Sequence, residues 1–345
     1  MSSVLIAMSG GVDSSVVAGL LKDKGYDCTG AIMRLCGNEG VEDAEAVAQR
    51  VGIPFEALDK REDFKNLIIG KFIDDYFLGL TPNPCIDCNK KMKFGAFLDT
   101  ALEKGFDYIA TGHYARVQYN EVSGRYELLK ATDTTKDQSY VLYFLSQAQL
   151  SRLILPLGDY TKAEIREKAE NYGFVNARKK DSQDICFVPN GDYASVIENE
   201  SGRVAEVGNF IDLSGKVLGK HSGIINYTIG QRKGLGIALG KPQFVISKSA
   251  EDNTVVLGDE ELLFCKKVHV TDVNFISVED ILKPTRAEVK LRYSMKPAPA
   301  VITRTEKGVT VEFDEPQRAP SAGQAAVFYV GDTILGGGTI LKGER

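Results

Sequence analysis

Near its start the chain runs from an apolar stretch, Val4-Leu5-Ile6-Ala7-Met8, into Ser9-Gly10-Gly11-Val12-Asp13-Ser14 and then into a helix-like segment from Ser15 to Lys24. This succession of strand, glycine turn and helix limits the possible folds more than any other stretch of the chain. Gly10 and Gly11 can take backbone angles closed to other residues and let an anion come close. The N–H groups that open the next helix then face that anion. Ser9, Ser14 and Ser15 add hydroxyl donors, and Asp13 can hold a magnesium ion against phosphates. The Lys-Ser/Thr pair of a Walker A loop is missing, which excludes a phosphate loop of that type.

The first half continues the pattern. Asp27 to Met33 reads as a second strand, Val41 to Val51 as a helix and Pro54 to Leu58 as a short strand. Glu62 to Leu78 reads as a long amphipathic helix burying Phe64, Leu67, Ile68, Phe72 and Tyr76, and Lys91 to Lys104 as another helix. Phe106 to Ala110 is a strand that ends in Thr111-Gly112-His113-Tyr114. Such alternation implies a parallel sheet covered on both faces, with ligands beyond the strands' carboxyl ends. Ser9–Ser14, Met33 and Thr111–Tyr114 would share that edge. Thr161 and Glu164 have capping-box spacing for a helix to Tyr172.

After Pro189 the character changes. Glycine and short strands follow, for example Lys216–Lys220 and Gly234–Ile237. Further on, Ala287, Val289, Leu291 and Tyr293 alternate with Glu288, Lys290 and Arg292, which predicts one buried and one exposed face. Val309–Phe313 and Ala325–Val330 extend the series, and strands this short suggest a small β-barrel. The expected architecture is α/β: an N-terminal parallel-sheet domain over 1–195, a small central domain over 196–260 and a C-terminal β-barrel over 261–345.

The 345 residues carry a net charge of −5 and are 43% hydrophobic, an ordinary globular composition. No apolar run approaches the roughly 18 residues that span a membrane. No basic segment precedes the first apolar stretch, so a cytoplasmic location is expected. The acidic balance argues weakly against nucleic acid, but Lys90-Lys91-Met92-Lys93, Arg178-Lys179-Lys180, Arg232-Lys233 and the set Lys290, Arg292, Lys296 could together form a positive path.

Six cysteines occur, and Cys85 and Cys88 form a C-x-x-C pair behind Thr81-Pro82-Asn83-Pro84. The prolines predict an extended loop ahead of the helix. Cys88 near the helix start, with Lys90, Lys91 and Lys93 close by, predicts a reactive thiolate. Cys186 lies far off, before Phe187; a cysteine in such a setting is commonly a small buried hydrophobe. Three readings of the thiols stay open. Cys88 and Cys186 transfer sulfur through a persulfide and a disulfide. Alternatively Cys85, Cys88 and Cys186 hold an iron–sulfur cluster, with a [4Fe-4S] cluster leaving one iron open. Or they bind zinc with an unidentified fourth ligand.

The opening loop resembles that of N-type ATP pyrophosphatases, which split ATP between the α and β phosphates. With it, Thr81-Pro82-Asn83-Pro84, Cys88-Asn89-Lys90, Ala110–Ala115, Lys136–Tyr140, Asp184–Phe187, Thr228–Gly236 and Phe313–Arg318 resemble, in order, the bacterial tRNA-uridine 2-sulfurtransferases, or 2-thiouridylases. The resemblance implies ATP and Mg2+ as cofactors, with Ala7, Met8, Ser9, Gly10, Gly11, Val12, Asp13, Ser14, Met33 and Gly112 on the nucleotide. It implies Cys88 as nucleophile and Cys186 as persulfide carrier. It also implies tRNA contacts at Asn83, Pro84, Cys85, His113, Lys136, Asp137, Gln138, Arg292, Tyr293 and Gln324. The partners implied are tRNA and a sulfur donor, either a cysteine desulfurase or a sulfur-relay protein, with no membrane. Many relatives carry aspartate where this chain has Cys85, and the third thiol strengthens the cluster reading. The rival readings are a pyrophosphatase-loop ligase acting on a small acceptor and a non-catalytic tRNA- or metal-binding protein.

Overall fold

A computed structural model describes residues 1–37, 40–179 and 185–345. Asp184 of the Asp184–Phe187 motif and Lys180 of the Arg178–Lys180 cluster lie outside the described residues. The first seven strands are β1 (Ser3–Ala7), β2 (Asp27–Arg34), β3 (Phe55–Asp59), β4 (Tyr108–Ala110), β5 (Ala115–Asn120), β6 (Arg125–Lys130) and β7 (Leu153–Ile154). Five of them form a parallel sheet in the order β3-β2-β1-β4-β7. In β1, Val4, Leu5 and Ile6 are fully buried. Leu5 packs with Phe94 and Phe97 on one face. Val4 and Ile6 pack on the other with Val16 and Val17 of α1 (Val12–Asp23) and Val47 of α2 (Val41–Val51). Apolar residues on both faces are what a central parallel strand requires.

Two long helices depart from expectation. Arg61–Phe64, Lys65–Ile69 and Gly70–Phe77 run on without a break, the middle part π-wound. Phe64, Ile68, Phe72 and Tyr76 are buried as expected, but Leu67 is 40% exposed, because the wide turn carries it off the buried stripe. The second helix begins at Pro84, not Lys91, and runs through a π-wound stretch, Asn89–Ala96, to Glu103. Asn83 caps it by accepting a bond from the Ile86 N–H at 3.4 Å. An Asn-Pro pair supplies a cap and a first helical residue, which outweighs the extending effect of the prolines. Cys85 and Cys88 are therefore helical. Asp87 meets Lys71 at 3.1 Å.

The central sheet orders β8 (Gly208–Ile211), β9 (Val217–His221), β10 (Phe244–Ser249) and β11 (Thr254–Gly258) as β10-β11-β8-β9. Its core takes in Phe72, Ile73 and Tyr76 from the long helix along with Phe210 and Val245, which seats it on the first domain. Gly234–Ile237 is not a strand; Gly234 and Gly236 both have positive φ, at 74° and 70°, which no extended ladder accommodates.

The last six strands are β12 (Phe264–Phe275), β13 (Thr285–Lys290), β14 (Ala298–Thr305), β15 (Gly308–Arg318), β16 (Ala325–Val330) and β17 (Thr333–Glu344). They run antiparallel as β12-β15-β14-β13-β16-β17, and β12 pairs with β17 to close a barrel. Ala287, Val289 and Leu291 point into the core, while Tyr293 is 45% exposed because the strand ends at Lys290. The sequence reading missed the β5–β6 hairpin, which joins the barrel sheet where Leu129 pairs with Thr333. Across the same seam the Tyr140 hydroxyl donates to the Ala325 carbonyl at 2.9 Å, and the Asn274 amide donates to the Tyr143 carbonyl at 2.8 Å. Among the described residues no helix is long and apolar enough to cross a membrane.

Candidate active site

The loop after β1 is shaped by close backbone packing. Gly10 has φ +69°, and a Cβ there would lie 2.4 Å from the Gly40 carbonyl oxygen. Gly112 brings the loop after β4 so near α1 that a Cβ would lie 3.1 Å from the Ser14 nitrogen. The Ser14 hydroxyl takes a bond from the Ser9 N–H at 3.1 Å and donates to the Gly11 carbonyl at 3.1 Å. Asn176 donates to the Gly10 carbonyl at 3.0 Å and to the Ser15 hydroxyl at 2.9 Å, bracing the loop from behind. Gly11 precedes the first residue of α1 and no side chain caps it, so the leading N–H groups remain available to an anion.

These elements border a cavity of about 370 Å3 at the carboxyl edge of the parallel sheet. Of the residues expected on the nucleotide, Ala7, Met8, Ser9, Asp13, Ser14, Met33 and Gly112 line it; so do His113, Gln138 and Cys186 from the other expected groups. Gly10, Gly11 and Val12 stand behind the wall, and the Val12 side chain is buried in the core. Two lining residues, Cys36 and Lys93, carried no signal in sequence beyond a lone cysteine and a basic cluster. Asp13 accepts from the Tyr114 hydroxyl at 2.7 Å and from Lys162 at 2.7 and 2.9 Å. A cation not anticipated in sequence, Lys162 at the start of the helix Lys162–Asn171, thus already faces the carboxylate expected to hold magnesium.

The thiols correct one expectation. Cys88 is not the acidic one: burial pushes its thiol up to about 11, and Lys93 only partly offsets this. Burial likewise raises Cys85, although part of that residue is surface-exposed. Cys186, expected as a plausible buried hydrophobe, is exposed. A hydrogen bond from Cys36 draws its thiol down to about 7, against burial and with help from Lys93. Cys186 is therefore the more acidic of the two thiols, and Cys88 the one whose proton burial holds. Removing the donor should raise the Cys186 midpoint: in Cys36→Ala, iodoacetamide alkylation of Cys186 at pH 7 should slow roughly tenfold, the size of a one-unit rise. An unchanged pH profile would show that Cys36 does not act on Cys186. Among the described residues no group of three or more His, Cys, Asp or Glu side chains is arranged to hold a metal ion.

His113 is buried and stays neutral, because burial and then Lys93 hold its pKa well below the usual range. It shares a 2.7 Å hydrogen bond with Thr111. The remaining residues expected to meet tRNA gather along the seam between the first domain and the barrel. Gln324 donates to the Thr81 carbonyl at 2.7 Å and the Pro82 carbonyl at 3.2 Å, holding the turn ahead of Asn83 and Pro84. Arg292 donates to the Ser321 hydroxyl at 3.0 Å. Tyr293 donates to the Asp137 carbonyl at 3.2 Å, and the Asp137 carboxylate accepts from the Ala131 and Ser139 N–H groups at 3.0 and 3.2 Å. The Gln138 side-chain amide oxygen Oε1 accepts from the Tyr114 N–H at 2.9 Å. Lys136 lies in the same turn, its N–H bonded to the Asp133 carbonyl at 3.0 Å.

Comparison with known proteins agrees along the whole length. Family models described as a tRNA methyl transferase HUP domain, a tRNA methyl transferase PRC-barrel domain and an aminomethyltransferase beta-barrel domain match residues 2–190, 197–259 and 265–340. A protein of Clostridioides difficile (strain 630) named tRNA-specific 2-thiouridylase MnmA is 50% identical, covering 98% of this chain and 98% of its own. A protein of the same name from Carboxydothermus hydrogenoformans is 48% identical, covering 98% of this chain and 97% of its own. One from Acetivibrio thermocellus is 47% identical, covering 98% of each. Half-identity sustained through the sheet, the central domain and the barrel is more than a shared nucleotide fold would leave, and the chain belongs to the tRNA-specific 2-thiouridylase family.

Proposed function

We propose that this chain uses ATP to replace the C2 oxygen of the wobble uridine of tRNA by sulfur, with residues 1–195 carrying the chemistry, 196–260 linking and 261–345 contacting tRNA. One observation supports this above the rest: the glycine loop after β1 and the Cys186 thiol border the same cavity. A methyl transfer, as the domain descriptions word it, needs neither. A ligase for a small acceptor needs the loop but not the thiols or the barrel.

A uracil C2 carbonyl is a poor electrophile, and ATP corrects that. The C2 oxygen attacks the α-phosphorus, the bond to the β-phosphate oxygen breaks, pyrophosphate leaves with the electron pair, and N3 gives up its proton to solvent. Cys186 enters carrying a terminal sulfur passed on from the persulfide of a cysteine desulfurase or sulfur-relay protein. That sulfur attacks C2, and AMP leaves with the C2–O electron pair. Cys88 as thiolate then attacks the Cys186 sulfur. A Cys88–Cys186 disulfide forms, the base leaves as a 2-thiolate, and N3 takes back a proton. A dithiol reductant must restore the disulfide before the next turnover. A high Cys88 midpoint suits this order, since the releasing thiol stays protonated while Cys186 is loaded. The base has to leave the anticodon stack to reach C2, and Asn83, Pro84, Cys85 and His113 are the residues we assign to meet it.

Asp13, whose carboxylate opens onto the cavity, would hold Mg2+ by exchanging its ion pair with Lys162 for the metal; when bound the ion would neutralise the phosphates as pyrophosphate departs. An iron–sulfur cluster or zinc does not fit the described side chains, because Cys85, Cys88 and Cys186 form no ligand group, and no step runs through either.

ATP–pyrophosphate exchange with and without tRNA tests the reading. Exchange should require tRNA. Full exchange without it, supported by a small acceptor, would overturn the assignment.

A further inference from the structure

Lys93 belongs to none of the residue sets implied by family resemblance, yet it occupies the centre of the site. It lies in the π-wound stretch Asn89–Ala96, a local widening that recurs at functional positions, and it lines the cavity with Ser9, Asp13, Ser14 and Cys186. It is the shared positive neighbour of Cys85, Cys88, Cys186 and His113. The lysines around it are engaged: Lys162 with Asp13, Lys179 with Asp43 and Lys91 with the Leu67 carbonyl. Among the described residues nothing hydrogen-bonds or ion-pairs with Lys93. Lys93 is part-buried on the cavity wall, so an anion entering the cavity would meet a positive charge that no described side chain neutralises. Among the described residues the one carboxylate on the cavity wall, Asp13, is already matched by Lys162.

We propose that Lys93 is a catalytic residue that contacts the α-phosphate of ATP and then the phosphate of the departing AMP. The inference rests on the thiolation reading above. In that reaction the phosphate bonded to the C2 oxygen must lie beside the sulfur that displaces it, and Lys93 is the cation common to the nucleotide cavity and the thiols. Negative charge grows on the α-phosphate oxygens when the C2 oxygen bonds to phosphorus, and again when the C2–O bond breaks and AMP leaves. A fixed ammonium there acts on both steps. The leading N–H groups of α1 serve the other phosphates.

Full-length Lys93→Met, Lys93→Gln and Lys93→Arg proteins, with tRNA, ATP and a persulfide donor to load Cys186, test this by AMP formation and by tRNA binding on filters. Losing one such charge should lower the rate of AMP formation in the Met and Gln variants by roughly 100-fold. Their tRNA affinity should stay within about twofold, and Arg, which keeps the charge, should recover to within roughly tenfold of the unsubstituted rate. Rates in Met and Gln within about threefold of the unsubstituted protein would overturn the proposal. So would a loss that merely follows lost tRNA binding. If the Met variant does not fold, the Gln and Arg pair decides alone. Absence of tRNA-dependent AMP formation in the unsubstituted protein would instead overturn the thiolation reading.

Discussion

A Cys186→Ser protein should still adenylate tRNA, releasing about one pyrophosphate for each tRNA bound, and yet make no 2-thiouridine. A serine hydroxyl carries no transferable sulfur, and its oxygen is protonated where the Cys186 thiol, drawn down to about 7, is not. The loop, Asp13 and the leading N–H groups of α1 remain intact, so activation continues and only the acceptor chemistry stops. Thiolation should fall by at least roughly a thousandfold, the scale seen when a nucleophile is removed. Nucleoside mass spectrometry alongside pyrophosphate measurement reads both halves. Cys88→Ser should fail one step later, leaving tRNA joined to Cys186 through C2–S–S, a band shift that reductant abolishes. Full thiolation in either variant would remove both residues from the mechanism.

Gly10→Ala should nearly abolish ATP cleavage and also weaken the fold. Its φ of +69° is costly for alanine, at about 1–3 kcal/mol. The added Cβ would lie 2.4 Å from the backbone oxygen of Gly40, which cannot swing aside like a side-chain tip. Either Gly40 retreats or the loop rotates, and the N–H groups then no longer converge on the phosphates. A fall of roughly 100-fold in AMP formation is expected, the size that follows loss of one well-placed anion donor. A calorimetric midpoint lower by a few degrees should accompany it, on the order of 2–4 °C per kcal/mol for domains of this size. Unaltered activity with an unaltered midpoint would mean that the close approach of Gly10 and Gly40 does not hold the loop.

What could be read in sequence were features whose cause is local. The β1 run, the glycine turn, the Thr161–Glu164 capping box and the alternation from Ala287 to Leu291 each act within a few residues. The capping box is present in full, with the Thr161 hydroxyl accepting from the Glu164 N–H at 3.3 Å. What escaped depends on distant partners. Cys88 looks acidic from its lysine neighbours, but burial outweighs their charge. Cys186 looks inert, but Cys36, from the other end of the first domain, sets its acidity. The β5–β6 hairpin went unread, and its edge is completed by the distant β17. Lys93 reads as one basic residue among several until the structure shows that, of the Lys90–Lys93 cluster, it is the one lining the cavity. The start of the helix at Pro84 was a local signal misread: Asn83 acts as a cap, and the proline behind it opens the helix.

The most direct measurement is a single turnover with Cys186 preloaded with isotopically heavy sulfur, using unmodified tRNA and ATP. One AMP should appear for each 2-thiouridine, the heavy sulfur should sit at C2, and omitting ATP should abolish both. Heavy 2-thiouridine formed without ATP, or AMP released by the loaded, unsubstituted protein with no sulfur entering the base, would contradict a single site that joins nucleotide cleavage to the Cys186 thiolate.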